Sequence, residues 1–407
     1  MNYTENVIVP ERTLLVSLDT GEYDAEESLR ELWELAKSGG AEPIATMMQK
    51  RPSPETATCV GSGMVEEIRN FCENNEIELI IFDRELTPTQ IRNLENATDV
   101  RVVDRTMLIL DIFAQRAQSR AGKVQVEAAQ LKYLLPRLTG KGTALSRLGG
   151  GIGTRGPGET KLETDRRHIR RRIEALREQL KKIEVGRHET QRRREKDGTV
   201  TVALVGYTNA GKSTLMNLLT QAGVLAEDKL FATLDPTARA LKLPGGKTVM
   251  LIDTVGLVRR LPHHLVEAFR STLEQAATAD IILNVCDASS PEARTHLDVT
   301  NEILQSLGCG DRPVIPVLNK WDLVGDADSA LHLTGAVRIS ALKNEGIPAL
   351  LQAIEDNLPV KPVDVTALLP FAKTGIAAQL RKAGALVSEE YVPEGLLIHA
   401  RVERSEE

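Results

Sequence analysis

The chain has 407 residues, a formal net charge of −6, and 42% hydrophobic and 27% charged residues, which suits a globular protein of about two or three domains and exceeds what one core can organise. No apolar run approaches the roughly eighteen residues of a membrane span, and the opening MNYTENVIVPERT has no basic start followed by an apolar core, so the expectation is a cytoplasmic protein without span or leader. Cys59, Cys72, Cys286 and Cys309 are scattered without a CxxC pair or zinc-ligand spacing; they read as buried free thiols rather than a metal framework.

Residues 13–103 alternate short apolar runs (TLLVSLD, EPIATMM, ELIIFD, VRVVD) with helical patterns such as Glu26 to Lys37, which predicts a small parallel α/β sheet. Gly61-Ser62-Gly63 precedes a helix but lacks the third glycine of a dinucleotide fingerprint, and reads as a strand-to-helix turn. From Thr106 to Leu135 the periodicity becomes helical. LGGGIGTRGPGET, Leu148 to Thr160, has too many glycines for a helix or strand interior; it is a passive linker or a loop around Arg155 that orders on a partner.

Leu162, Ile169, Ile173, Leu176, Leu180 and Ile183 then form a heptad seam, and Val185-Gly186 interrupts it. The spacing predicts a helical hairpin that returns through Arg192-Arg193-Arg194 toward Lys196. Between Asp165 and Lys196, about thirteen Lys/Arg face about six acids, a local positive excess on an acidic protein. Two readings stand: a solvated coiled-coil face, or contact with a phosphate backbone through counterion release.

TVTVALVGYTNAGKST, Thr199 to Thr214, passes from an apolar β-branched run through a glycine-bounded loop into a helical pattern carrying Leu215, Leu218 and Leu219. It meets GxxxxGK[ST] in the strand-loop-helix context that gives the motif meaning. Gly206, Tyr207, Thr208, Asn209, Ala210, Gly211, Lys212, Ser213 and Thr214 are the expected phosphate contacts. Backbone amides and the helix N-terminus cradle the phosphates, Lys212 reaches the β- and γ-phosphates, and Ser213 ligates Mg²⁺. Downstream, FATLDPT offers Phe231, Ala232 and Thr233, with Thr233 (Thr237 as competitor) completing the Mg²⁺ shell. The strand VMLID ends in Asp253-Thr254-Val255-Gly256, a carboxylate near Mg²⁺ and a glycine amide for the γ-phosphate. Asn319, Lys320 and Asp322 follow another strand; a carboxylate at Asp322 accepts from guanine N1–H and the exocyclic amine, which adenine cannot offer. Ser340, Ala341 and Leu342 stand where backbone amides meet the guanine carbonyl. Five such elements in order over residues 206–342 identify a GTP site, with Lys212, Thr233 and Gly256 as its catalytic positions. Leu257 stands where many GTPases carry a water-orienting glutamine, so slow hydrolysis that a partner accelerates is expected. Asn209 is in addition a candidate K⁺ ligand.

The chain resembles the HflX-type GTPases of the Obg–HflX superfamily, through VGSGMVEEI, LTPTQIRNLE, VVDRTMLILDIFAQRA, QVEAAQLKYLLPRL, GGIGTRGPGETKLETDRR, FATLDPTAR and DTVGLVRRLPHHLVEAFRSTLE. The resemblance covers nearly the whole chain. It implies contact with large-subunit ribosomal RNA through the N-terminal region, and GTP-dependent splitting or rescue of ribosomes by a protein taken here as a monomer. Leu257 departs from the phenylalanine the family often carries, and leaves the position apolar. The expected fold is α/β, a P-loop GTPase domain preceded by a small α/β domain with a helical hairpin and followed by a small α+β C-terminal domain. The expected boundaries are 1–105 (α/β subdomain), 106–197 (helices, glycine-rich loop and basic hairpin), 198–360 (GTPase domain) and 361–407. The rival from another class is a GTP-gated scaffold for an acidic protein partner, with hydrolysis as a timer.

Overall fold

The computed structural model describes residues 10–138, 161–196, 199–220, 230–231, 237–260, 278–309, 312–325, 333–359 and 362–403. Its first layer is a parallel four-stranded sheet of β1 (Arg12–Asp19), β2 (Glu42–Lys50), β3 (Leu79–Phe82) and β4 (Arg101–Asp104), in the order β2-β1-β3-β4. The central strands β1 and β3 are buried on both faces, which is why they read as continuous apolar runs. One face is covered by α1 (Ala25–Ser38) and α4 (Arg105–Arg116), whose Leu29, Leu32, Leu35, Leu108, Ile112 and Phe113 share a core with Leu15 and Ile81. The other is covered by α2 (Ser62–Asn75) and α3 (Pro88–Thr98) through Met64, Ile68, Cys72 and Leu94. Side chains start these helices where the sequence provides them: Asp24 accepts from the Glu27 amide, and Thr87 and Gln90 form a capping box with Pro88 at the first helical position.

Two antiparallel helices follow, α5 (Arg120–Leu134) and α6 (Lys161–Lys196). Ile173 and Leu176 of the seam are buried, and Leu176 packs with Val124 and Ala128 of α5, while Arg172 closes a two-pronged pair with Glu127 at 2.7 and 2.9 Å. A helical hairpin exists, but its turn is not at Val185-Gly186. The helix runs unbroken for 36 residues to Lys196, so Arg192 continues outward instead of returning. A single glycine costs a helix only about 1 kcal/mol, and Thr190 back-bonds to the Gly186 carbonyl at 2.9 Å within the same helix. The glycine-rich loop with Arg155 lies outside the described residues.

The second layer is a six-stranded sheet of β5 (Thr201–Gly206), β6 (Thr237–Lys242), β7 (Thr248–Asp253), β8 (Ile281–Asp287), β9 (Val314–Asn319) and β10 (Val337–Arg338), ordered β10-β9-β8-β5-β7-β6. Only β6 pairs antiparallel, as the first strand of a hairpin with β7. The helices α7 (Lys212–Thr220), α8 (Ala293–Ser306) and α9 (Ile347–Asp356) cover it. Last come β11 (Pro362–Leu369), α10 (Gly375–Lys382), β12 (Leu386–Val392) and β13 (Gly395–Glu403), an antiparallel sheet ordered β11-β13-β12 with Ala377 and Leu380 of the helix on Leu396 and Ile398. The four cysteines are buried free thiols, and no helix among the described residues is long and apolar enough to cross a membrane.

Candidate guanine-nucleotide site

The site forms where the parallel strands β5, β7, β8 and β9 end together. A ligand crevice is expected at that edge of an open α/β sheet. Backbone geometry explains the glycines there. Gly206 has φ 152° and Gly211 φ 88°; a Cβ at the first would run into the Val285 carbonyl and at the second into the Asn319 side chain. Asn209 is also left-handed, at φ 60°, a conformation asparagine tolerates better than most residues.

Lys212 is 7% exposed. Its ammonium donates to the carbonyls of Gly206 and Tyr207 at 2.9 and 2.8 Å, and burial pulls its pKa down to about 8 against the opposing pull of Asp253. Phosphate oxygens brought to it would restore the stabilisation of the ammonium that is lost with its water on burial. Ser213 donates to Asp253 at 3.0 Å, so a hydroxyl and a buried carboxylate stand together. Such hard oxygen donors suit Mg²⁺. Thr254 is held by a 2.6 Å bond to the Leu204 carbonyl. A Cβ at Gly256 would come 2.7 Å from Thr208 Cγ2 and 3.2 Å from Lys212 Nζ, so this backbone lies against both the loop and its lysine. Ala232 and Thr233 lie outside the described residues; Thr237, the competitor of Thr233, opens β6 opposite Asp253.

On the other side, Asn319 ties three loops together. Its amide donates to the Ala210 carbonyl at 2.8 Å and its oxygen accepts from the Ala341 amide at 3.0 Å, while its main-chain carbonyl accepts from Ala288 at 2.8 Å. Lys320 pairs with Asp287 at 2.7 Å. Asp322 is held below the usual carboxylate range by its bond to Ser340, with Lys343 at 3.5 Å adding to it. A cavity of about 270 Å³ lies between these groups, lined by Asn209, Gly211, Thr214, Asp322, Ala341 and the exposed Leu342. Its carboxylate and backbone amides can grip a planar base.

A second cavity, of about 250 Å³, shares Asn209 with the first and has Thr208, Arg259, Glu292 and His296 on one wall and Glu27 and Glu31 of α1 on the other. Sequence reasoning missed this wall. The Tyr207 side chain reaches it: the ring stacks on His296 at 3.9 Å, and the hydroxyl donates to Glu31 and accepts from the Arg259 amide at 2.7 Å. Arg105, 2% exposed, pairs with Glu31 and with Asp83 at 2.9 Å and donates to the Arg259 carbonyl at 3.2 Å. Arg260 pairs with Asp83 at 2.7 Å and lies 3.7 Å over the Tyr23 ring. Phe231 is buried edge-on against Phe113 at 4.6 Å and Val255 joins the same core. The signal available in the sequence was the basic pair Arg259-Arg260 directly after DTVGLV.

Residues 26–114 match the family described as GTP-binding GTPase N-terminal, residues 116–194 the GTP-binding GTPase Middle Region, and residues 201–320 the 50S ribosome-binding GTPase family. The chain is 50% identical over 392 residues to GTPase HflX of Caldanaerobacter subterraneus, covering 96% of this chain and 91% of the relative. It is 48% identical over 398 residues to GTPase HflX of Lacrimispora saccharolytica, covering 97% and 94%. Identity to GTPase HflX of Escherichia coli is 41% over 365 residues, covering 88% and 86%. Matches of that extent reach across the α/β layer, the helical pair and the nucleotide site together, and the chain belongs to the HflX family of GTPases.

Proposed function

We propose that this GTPase binds the large ribosomal subunit in its GTP form and splits or rescues stalled or idle ribosomes, with hydrolysis ending the bound state. The observation that carries the reading is the basic helix α6, the element that precedes the P-loop strand in the chain. A run of exposed cationic side chains, among them Arg170, Arg171, Lys181, Lys182 and Arg192, is built for a phosphate backbone. In this reading the glycine-rich loop around Arg155 and α6 reach ribosomal RNA, and the protein acts as a cytoplasmic monomer.

At the site, the P-loop amides, Lys212 and the Gly256 amide hold the phosphates, and Asp322 reads the base. Mg²⁺ would be held through Ser213 and Thr233 with Asp253 nearby, and supplies neutralisation of the phosphate charge; K⁺ beside Asn209 would add to it. GTP orders the switch segments and hydrolysis releases them. Because Leu257 cannot hydrogen-bond water, turnover is slow until the ribosome reorders the site. The test is cosedimentation of the full chain with ribosomes in a non-hydrolysable GTP analogue. Wild type is expected in the pellet, with R170E/R171E depleted from it and its binding falling less steeply with salt, by a slope change of about 1 per residue. Absence of the wild-type chain from the pellet sinks the reading and favours the GTP-gated scaffold for a protein partner.

A further inference from the structure

We propose that the Thr208 hydroxyl holds the attacking water during GTP hydrolysis, the task a glutamine after the DxxG glycine performs in other GTPases. The proposal rests on the P-loop reading of Gly206–Ser213. At position 257 neither side chain nor backbone can do it. Leu257 is 1% exposed, with its side chain packed among Ala203, Val205, Ile282 and Leu304. Its amide donates to the Gly206 carbonyl at 3.1 Å and its carbonyl accepts from the Thr208 amide at 2.7 Å. Both of its backbone polar groups are therefore engaged with the P-loop.

Thr208 is 6% exposed, and its hydroxyl is buried with no hydrogen-bond partner among the described residues. A buried hydroxyl in that condition is unusual in a folded protein and asks for a missing partner. The neighbouring hydroxyls are taken: Tyr207 by Glu31 and the Arg259 amide, Ser213 by Asp253, Thr254 by the Leu204 carbonyl. Position matches chemistry. Thr208 lines the 250 Å³ cavity, and its Cα and Cγ2 lie 2.9 and 2.7 Å from the point a Cβ on Gly256 would occupy, with Lys212 Nζ 3.2 Å from that point. Thr208 thus packs its methyl and Cα on Gly256, the glycine assigned to the γ-phosphate, beside the Lys212 ammonium, and carries the hydroxyl on the same Cβ.

A hydroxyl both donates and accepts. By accepting from water it turns a lone pair toward phosphorus, and it does not ionise, so it orients rather than deprotonates. The water oxygen bonds to the γ-phosphorus and the bond to the bridging oxygen breaks with its electron pair going to the β-phosphate. The water's protons leave through oxygens of the released phosphate, giving GDP, phosphate and a proton.

The experiment is single-turnover hydrolysis by the full chain at saturating GTP, with and without ribosomes, beside mant-GDP affinity, for T208V, T208S and K212A. T208V keeps the shape and removes the hydroxyl; T208S keeps the hydroxyl and removes the methyl. The expected result is a loss of about tenfold or more in rate for T208V, with mant-GDP affinity within about threefold of wild type, and rescue by T208S to within about threefold of the wild-type rate. A T208V rate within threefold of wild type overturns the proposal. So does a T208S rate as low as that of T208V, which would make the methyl packing on Gly256 the operative feature, or loss of mant-GDP binding in T208V. Unchanged mant-GDP affinity in K212A would instead overturn the P-loop reading beneath it.

Discussion

The two cavities that meet at Asn209 are built on opposite plans. The base-side cavity is lined by the P-loop, the β9 end and the loop after β10, and Asn319 bonds to all three segments. The phosphate-side cavity is shared between two layers of the molecule, with α1 carboxylates facing the P-loop and the segment after β7. The first is the cavity proposed to take the base. The second has walls joined through Tyr207 and Glu31, and Arg260 pairs with Asp83 beside it, so whatever moves residues 256–260 also acts on the N-terminal layer.

If the plans differ in this way, damage to one cavity should spare the other. The largest effect is expected from R105A. It removes a guanidinium that is 3% exposed and pairs with Glu31 and the 1% exposed Asp83, leaving two carboxylates short of a partner. Breaking a buried pair from one side costs about 3–5 kcal/mol. Thermal unfolding of R105A should fall accordingly, with mant-GDP affinity within about threefold of wild type. A loss of guanine binding in R105A comparable with its loss of stability would show that the cavities are not independent.

D322N should act the other way round. The carboxylate proposed to accept two guanine protons becomes an amide that presents a donor to one of them, and a charge-assisted bidentate contact of this kind is worth about a hundredfold in affinity. Weaker mant-GDP binding is expected with the melting temperature little changed, and xanthosine diphosphate, whose base carries an oxygen at position 2, should recover part of the loss. Equal weakening toward both bases would remove Asp322 from base recognition.

The same contrast decides what could be read in the sequence. The base-side elements and the P-loop are short-range patterns: Gly206 and Gly211 follow from backbone geometry inside one loop, and Asp322 from the chemistry of one base edge. β1 and β3 were legible because strands buried on both faces are apolar throughout. The phosphate-side wall depends on Glu31 meeting Tyr207, residues 176 apart, and on Arg105 meeting the Arg259 carbonyl, 154 apart. Neither pair has a spacing to recognise, and a buried arginine looks in sequence like a surface one. α6 failed differently. The glycine at 186 reads as a break, yet a helix of 36 residues absorbs it, since its anchoring on α5 lies earlier, at Arg172 and Leu176.

The smallest effect tests how finely the base cavity is tuned. Lys343 stands 3.5 Å from Asp322 and, after the Ser340 hydrogen bond, helps hold that carboxyl below its ordinary range. In the proposed contact guanine needs the carboxylate, so affinity is expected to be full above the ordinary carboxyl range and to be lost as pH falls through the depressed value in the folded protein. K343A leaves the Ser340 bond and removes the charge. The acid limb of mant-GDP binding should therefore move to higher pH, while affinity at pH 7, where the carboxyl is ionised with or without Lys343, changes by less than about threefold. The Lys343 side chain is 54% exposed, so added salt should shrink the displacement between the two acid limbs. An acid limb that stays in place would assign the depression of Asp322 to Ser340 alone, and a large loss at pH 7 would mean that Lys343 touches the nucleotide directly.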